Sequence, residues 1–406
     1  MKTATATATH EVGKKLYGSA FVLYLTYFIH GIGCSILGQQ AIKEFLAGQW
    51  GSGIESVTLV AAALGLGRLI TLPFSGPISD KLGRRPCVLI GIVLYAMFFL
   101  GIAFSPNMQV AYVAAIFGGA ANSFLDTGVI PANVEILAPK SGVATMMTKL
   151  FIAVSQFLLP FMMGFIAGSH MSYNVLFIAA GVAILIVGAI SIKIPLPKKN
   201  ENEGKAESFF ATLKKAKFTP ESIALIIIGF TCTATFQLWL NCAQTFGKEV
   251  AGMSDPSGMQ KMYSLGTIVA ILLTSVLVNK FKEVRFLLIY PFISLIMLAL
   301  VLLIKTPQIC MIGSFVIGYS AAGGVLQLAT ATVNDLFPMI KGTITSIIMI
   351  ASSLSNYTIL SLAGNLGQDK GASAVIILNI VITAVGVLLA LFVNTRYKKM
   401  LEKTNN

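Results

Sequence analysis

Stretches of about 20 largely apolar residues recur twelve times along this chain of 406 residues, and no other feature restricts its fold so severely. They cover roughly 17–42, 55–79, 87–104, 108–137, 142–168, 172–194, 219–247, 258–279, 285–304, 308–336, 341–366 and 371–395. At about 1.5 Å per residue, a helix of this length spans the hydrocarbon of a bilayer. Backbone groups find no water there, so only helices and closed barrels can cross. Barrel strands need only about 9–11 residues, and these segments are far longer. Composition agrees: 11% of residues are charged, against about 25% in a soluble domain. The chain is therefore expected to be an all-α membrane protein with twelve transmembrane helices.

A formal net charge of +13 raises the question of nucleic acid, and the placement of the charges answers it. With both termini cytoplasmic, 22 of the 29 Lys and Arg fall on cytoplasmic segments. Five (Lys43, Lys248, Lys261, Lys305 and Lys370) fall on the other side, and Arg68 and Lys149 fall inside spans. This is the positive-inside bias of membrane proteins, so the charge orients the chain and meets anionic lipid; nucleic acid is not an expected partner. The first apolar run is too long for a signal-peptide core and shows no clear cleavage site, so it is kept as the first span. The five cysteines (Cys34, Cys87, Cys232, Cys242 and Cys310) have no metal-like or redox spacing and read as small packing residues.

Residues 195–218 form the only long polar stretch inside the chain, opened by prolines and carrying six Lys. They divide the chain into a cytoplasmic tail (1–16), a six-helix domain (17–194), this cytoplasmic linker, a second six-helix domain (219–395) and a second tail (396–406). The halves repeat at an offset near 200. Glu135-Ile-Leu-Ala-Pro-Lys-Ser-Gly142 matches Asp335-Leu-Phe-Pro-Met-Ile-Lys-Gly342, and Ser155-Gln156-Phe157 matches Ser355-Asn356-Tyr357.

Between the second and third spans lies Gly76-Pro-Ile-Ser-Asp80-Lys-Leu-Gly83-Arg84-Arg85-Pro86. Its glycines permit close helix approach and a tight turn, and Pro86 suits the start of the next helix. Asn279-Lys-Phe-Lys-Glu-Val-Arg285 looks like a degraded copy of it. The string resembles the signature loop between helices 2 and 3 of the major facilitator superfamily. With the repeat, the resemblance covers essentially the whole chain. It implies two pseudo-symmetric six-helix domains, a central cavity lined by spans 1, 4, 7 and 10, and alternating access by rocking. It also implies a gating role for Gly76, Asp80, Gly83, Arg84 and Arg85. Asp80 would face the positive N-terminal end of span 11 near Gly342. Two departures bear on subfamily. The fourth span, YVAAIFGGAANSFLDTG, has no Arg, and the fifth, AVSQFLLPFMMG, has Pro160 and Gly164 but no Gly-Pro pair. Both weaken a drug-antiporter reading. The fuller signatures of sugar porters are missing too, so no subfamily follows.

Ionisable groups inside spans cost about 2.5–3.5 kcal/mol each, so each needs a reason. Arg68 and Asp126 lie twelve residues from the cytoplasmic ends of their helices, at Asp80 and Ala138, about 18 Å deep. They form a structural ion pair, or Arg68 offers its planar fork to a substrate carboxylate while Asp126 competes for it through a proton. Lys149 can snorkel, pair with Glu135, or add positive potential to the cavity. Glu135 and Asp335 are repeat mates at inner helix ends, which favours gating for Glu135 over proton transfer, although both roles are kept open. His30 is either a satisfied structural group or a titrating cavity ligand. Gln237, Asn241 and Gln244 share one helix face near Trp239, as do Ser320, Gln327 and Asn334, and Asn122, Asp126 and Asn133; Gln156 and Asn356 are repeat mates. Such amides act as interhelical glue or line a cavity. The expected substrate-binding set is Arg68, His30, Gln156, Gln237, Asn241, Gln327 and Asn356, with Asp126 and Glu135 coupling protons.

The function expected is secondary transport of a small polar solute, foremost an organic anion moved with protons, by a monomer in the cytoplasmic membrane. A sugar or polyol carrier is the alternative, suited by the amides and Trp239. An exporter of apolar cations, suited by Asp126, Glu135 and the 26 Phe, ranks lower, as does a receptor. No nucleotide-binding loop of the Gly-x-x-x-x-Gly-Lys-[Ser/Thr] type occurs, so a gradient is the expected energy source. No metal, cofactor or catalytic constellation is expected. Asp80→Asn should slow the conformational cycle more than it weakens substrate binding, as read by transport rate against binding affinity; equal transport with unchanged state populations would count against the gating role.

Overall fold

The computed structural model describes residues 16–138, 141–196, 218–278, 280–337 and 340–404. Residues 1–15, 139–140, 197–217, 279, 338–339 and 405–406 lie outside the described residues, as do the side chain of Asp80 and the surroundings of Gly142 and Gly342. Among those described there is no strand, as a backbone in hydrocarbon requires. The helices are α1 (Tyr17–Ser35), α2 (Gln40–Trp50), α3 (Glu55–Leu82), α4 (Arg84–Ala103), α5 (Met108–Ile136), α6 (Ser141–Gly168) and α7 (Asn174–Lys193). They continue as α8 (Pro220–Glu249), α9 (Ser257–Leu277), α10 (Glu283–Ile304), α11 (Pro307–Ile317), α12 (Val325–Leu336), α13 (Lys341–Lys370) and α14 (Ala372–Thr404). Among the described residues, twelve helical spans are long and apolar enough to cross a membrane. Large apolar side chains such as Leu303, Phe165 and Leu388 are 76%, 69% and 66% exposed. Lipid is the solvent that such a surface suits.

Local chemistry sets the helix ends. Asn107 caps α5 by accepting from Val110 N at 3.0 Å. Thr219 and Ser222 form a reciprocal capping box at α8, with Pro220 in the first turn. Gly83 turns the chain between α3 and α4 at φ 91°, a conformation glycine adopts without strain. The tenth span is discontinuous: α11 passes into a π-helical turn, Gly318–Ala322, and α12 begins after Gly324 at φ 128°.

Contacts divide the chain into two compact units, Met1–Cys34 with Gly67–Lys205 and Ser35–Leu66 with Ala206–Asn406. The same backbone contact holds each together. In the first, Gly67 of α3 lies so close to α5 that a Cβ there would stand 2.0 Å from Ile116 O. In the second, a Cβ on Gly266 of α9 would stand 2.1 Å from Phe315 O of α11. Both partners are related by the sequence offset near 200, so the repeat is a repeat of helix packing. Lipid gives apolar helices little reason to leave it, and small residues that let backbones touch supply the association.

In the second unit, α2 is tied to α8 and α9 by polar groups. Gln39 Nε2 donates to Gln260 Oε1 at 3.1 Å and Gln244 Nε2 to Gln39 Oε1 at 2.9 Å. Gln40 N donates to Gln244 Oε1 at 2.9 Å. Lys43, placed just past the first apolar run by the sequence, is only 2% exposed. Its ammonium donates to Asn241 O and to Thr245 Oγ1. Among the described residues no carboxylate lies within 4 Å of it. Glu55 and Glu249 line the same ≈ 30 Å³ cavity. Burial holds Lys43 below its ordinary value of 10.5. A group with a lowered value binds fewer protons packed than solvated, so its penalty to packing is full below that lowered value and fades as pH rises from it toward 10.5. Lys43→Met should therefore raise stability by roughly 1–4 kcal/mol, seen as a higher Tm in detergent. The wild type should gain more Tm than the variant does as pH rises toward 10.5.

Candidate functional site

Five helices of the first unit deliver polar groups to one cluster. Tyr27, His30 and Cys34 follow one another at helical spacing on α1. Asn122 and Asp126 are one turn apart on α5, and Lys149 and Gln156 two turns apart on α6. Arg68 comes from α3 and Tyr95 from α4. Arg68 is placed by its neighbour Gly67, whose close approach sets the α3–α5 distance. Ser123 Oγ donates to Arg68 O at 3.1 Å and receives Thr71 Oγ1 at 2.9 Å, which pins the same turn.

Asp126 is the centre of the cluster. Its Oδ2 accepts from Arg68 Nη2 at 2.7 Å, and its Oδ1 accepts from Tyr27 OH at 2.6 Å. The side chains of Arg68 and Asp126 are 22% and 26% exposed, so the pair is neither sealed nor solvated. Beside it, His30 Nδ1 meets Tyr95 OH at 2.5 Å, and Tyr95 OH donates to Asn122 Oδ1 at 2.7 Å. Gln156 Nε2 donates to Cys34 Sγ at 3.4 Å. Lys149, seven residues before Gln156, shares its face of α6. Equal depth in the sequence pointed to Arg68 meeting Asp126, and the structure forms that pair. Tyr27 as its second partner and Tyr95 as the partner of His30 were not foreseen. The only signal was that a buried tyrosine hydroxyl needs a hydrogen-bond partner.

The loop after α3 is organised around Arg84. Its guanidinium meets Glu135 Oε1 at 3.2 Å and donates to Ser79 Oγ at 3.0 Å, while Ser79 Oγ donates to Thr127 O at 2.7 Å. Arg85 Nη2 donates to Ile194 O at 2.6 Å. Glu135 is thus the counter-charge of Arg84 and stands apart from the Asp126 cluster's hydrogen bonds. A Cβ on Gly76 would meet nothing within 4 Å among the described residues.

The other expected residues belong to the second unit. Asn241 Nδ2 donates to Gln237 O at 2.9 Å and Oε1 at 3.1 Å, one turn back along α8. Gln327 is half-buried on α12, just past the break at Gly324. Asn356 lies on α13 where Gly65 approaches: a Cβ on Gly65 would stand 2.5 Å from Tyr357 N. The buried Oδ1 of Asn356 has no hydrogen bond among the described residues.

A family model described as Major Facilitator Superfamily matches residues 23–355 and 258–405. The chain belongs to the major facilitator superfamily. It is a multi-pass membrane protein and a secondary transporter of that family. Among similar proteins, the uncharacterized MFS-type transporter YfkL of Bacillus subtilis (strain 168) is 35% identical over 388 residues, covering 93% of this chain and 96% of YfkL. The inner membrane transport protein YdiM of Escherichia coli (strain K12) is 32% identical over 399 residues, covering 94% of this chain and 95% of YdiM. A D-xylose-proton symporter has a similar solved structure, with a TM-score of 0.74 over 93% of this chain and 97% of that one; at 16% identity it speaks for the fold alone.

For a superfamily transporter the chemistry of the cluster is suggestive. Asp126 neutralises Arg68 and can take a proton; Arg68 cannot lose one. Asp126→Asn should leave the guanidinium without its counter-charge and destabilise the protein by about 1–3 kcal/mol, less than for a sealed pair. Arg68→Gln with Asp126→Asn should recover part of that loss, as measured by Tm in a double-mutant cycle. Additive losses would show that the two side chains do not act as a pair.

Proposed function

We propose that this transporter moves a small organic anion, a carboxylate, together with protons across the cytoplasmic membrane by alternating access. The observation that carries the reading is an acid paired with a cation inside a span. Asp126 holds Arg68 directly, and a second cation, Lys149, stands on the face of α6 that carries Gln156. Protonating Asp126 removes the counter-charge of Arg68 inside a span, where a lone charge is costly. A substrate carboxylate then supplies the missing negative charge in a planar, two-pronged fit. Proton and anion thus favour each other's binding, which is the requirement for cotransport. His30 and Gln156 would provide neutral hydrogen-bonding groups beside Arg68, and Gln237, Asn241, Gln327 and Asn356 are proposed as the solute contacts of the second unit. The reading takes the chain as a monomer of two six-helix domains with both termini cytoplasmic, the orientation favoured by the Lys and Arg distribution. A sugar or polyol substrate is the second reading, favoured by the Gln237–Asn241 amide pair.

Protein reconstituted in sealed vesicles tests the proposal with labelled carboxylates and sugars under an imposed pH difference. Carboxylate uptake should rise at least about tenfold when protons flow inward with it and should be lost in a folded Arg68→Gln variant. Sugar uptake that survives Arg68→Gln would make the arginine structural and favour the second reading.

A further inference from the structure

Lys149 is the group in the cluster that the ion pair leaves unexplained. It lies eight residues into α6, about 12 Å from the start of the helix. Its four-carbon stem covers roughly half that distance. Glu135, the acid the sequence suggested for it, is held by Arg84. Among the described residues Lys149 has no carboxylate within 4 Å and no hydrogen bond. It is half-buried, on the face of α6 that carries Gln156, whose Nε2 donates to Cys34 Sγ of α1 at 3.4 Å. With His30, Tyr27, Tyr95 and Cys34 neutral, the cluster carries two positive charges and one negative.

That count restricts what can fill the site neutrally. A monoanion on Lys149 balances the cluster with the Arg68–Asp126 pair intact, and no proton is required. Once Asp126 is protonated, two cations remain to be balanced. We propose that Lys149 and Arg68 are two separate carboxylate anchors, so that the proton-coupled substrate is a dicarboxylate. One carboxylate lies on Lys149 and the other on the guanidinium that a protonated Asp126 releases. The proposal rests on the carboxylate reading above and adds the second charge and its residue.

Calorimetry on the purified full chain at about pH 7.5, in two buffers of different ionisation enthalpy, counts protons taken up with each ligand. The probes are succinate, glutarate and adipate against butyrate, valerate and hexanoate. At least one dicarboxylate should bind with uptake of about one proton and about tenfold or more tighter than its monocarboxylate partner, which should take up none. Lys149→Gln should weaken the dicarboxylate at least about tenfold, whereas Lys149→Arg, which keeps the charge, should retain both affinity and proton uptake. Asp126→Asn should bind the dicarboxylate with no proton uptake. Equal affinity and equal proton uptake for mono- and dicarboxylates would overturn the two-anchor inference and leave the carboxylate reading standing. A folded Lys149→Gln variant within about twofold of wild type would do the same. Failure of every carboxylate to bind would overturn both.

Discussion

Hydrocarbon offers no hydrogen-bond partner, and the structure follows from how each kind of polar group meets that shortage. The backbone meets it by forming helices. Hydroxyls meet it by returning to the carbonyl one turn back: Thr267 to Tyr263 O, Ser191 to Val187 O, Thr235 to Thr231 O and Ser320 to Val316 O. Charged groups have no such local solution. Arg68 therefore takes Asp126, Arg84 takes Glu135, and Lys43 takes the carbonyl of Asn241. The residues that cannot satisfy themselves are the ones that fix tertiary structure.

This explains what could be read from the sequence and what could not. Span count and helical class depend on length and apolarity, which are written locally. The repeat was legible where side chains match, at 135–142 and 335–342. Its physical basis, the equivalent approaches of Gly67 to Ile116 O and Gly266 to Phe315 O, was not, because one glycine among 37 does not announce its neighbour. The interruption of the tenth span was hidden because Gly318–Gly324 reads as a small, apolar continuation of the window. The break between α1 and α2 was hidden likewise, since Gln39 and Gln40 hardly lower the average of a long apolar run.

In the cluster, Arg68 and Asp126 were legible together because equal depth is computable from helix rise alone. Tyr95 was not. It sits in Ile-Gly-Ile-Val-Leu-Tyr-Ala-Met-Phe-Phe-Leu, where an aromatic residue is ordinary packing, and only the neighbouring α1 gives its hydroxyl a reason. Lys43 shows what position along the chain leaves open. The sequence puts it just past the first apolar run, on the non-cytoplasmic side, and α2 folds it inward against α8. Sequence distance from an apolar window measures hydropathy, and burial depends on which helix arrives from elsewhere in the chain.

The hydrogen-bond inventory around Asp126 also explains why the proposed proton step would select between its two partners. The carboxylate accepts one bond on each oxygen, from Arg68 and from Tyr27. A proton added to either oxygen turns that atom into a donor. A guanidinium has no lone pair to accept it, whereas a phenolic oxygen can accept as readily as it donates. With the proton on Oδ1, Tyr27 stays bonded by reversing its role, while Oδ2 accepts from Arg68 only as a neutral carbonyl. In the proposed cycle the tyrosine keeps Asp126 in place while Arg68, its counter-charge gone, turns its charge to the substrate. The asymmetry lies in the chemistry of the two donors rather than in any difference of distance, since 2.6 and 2.7 Å are alike.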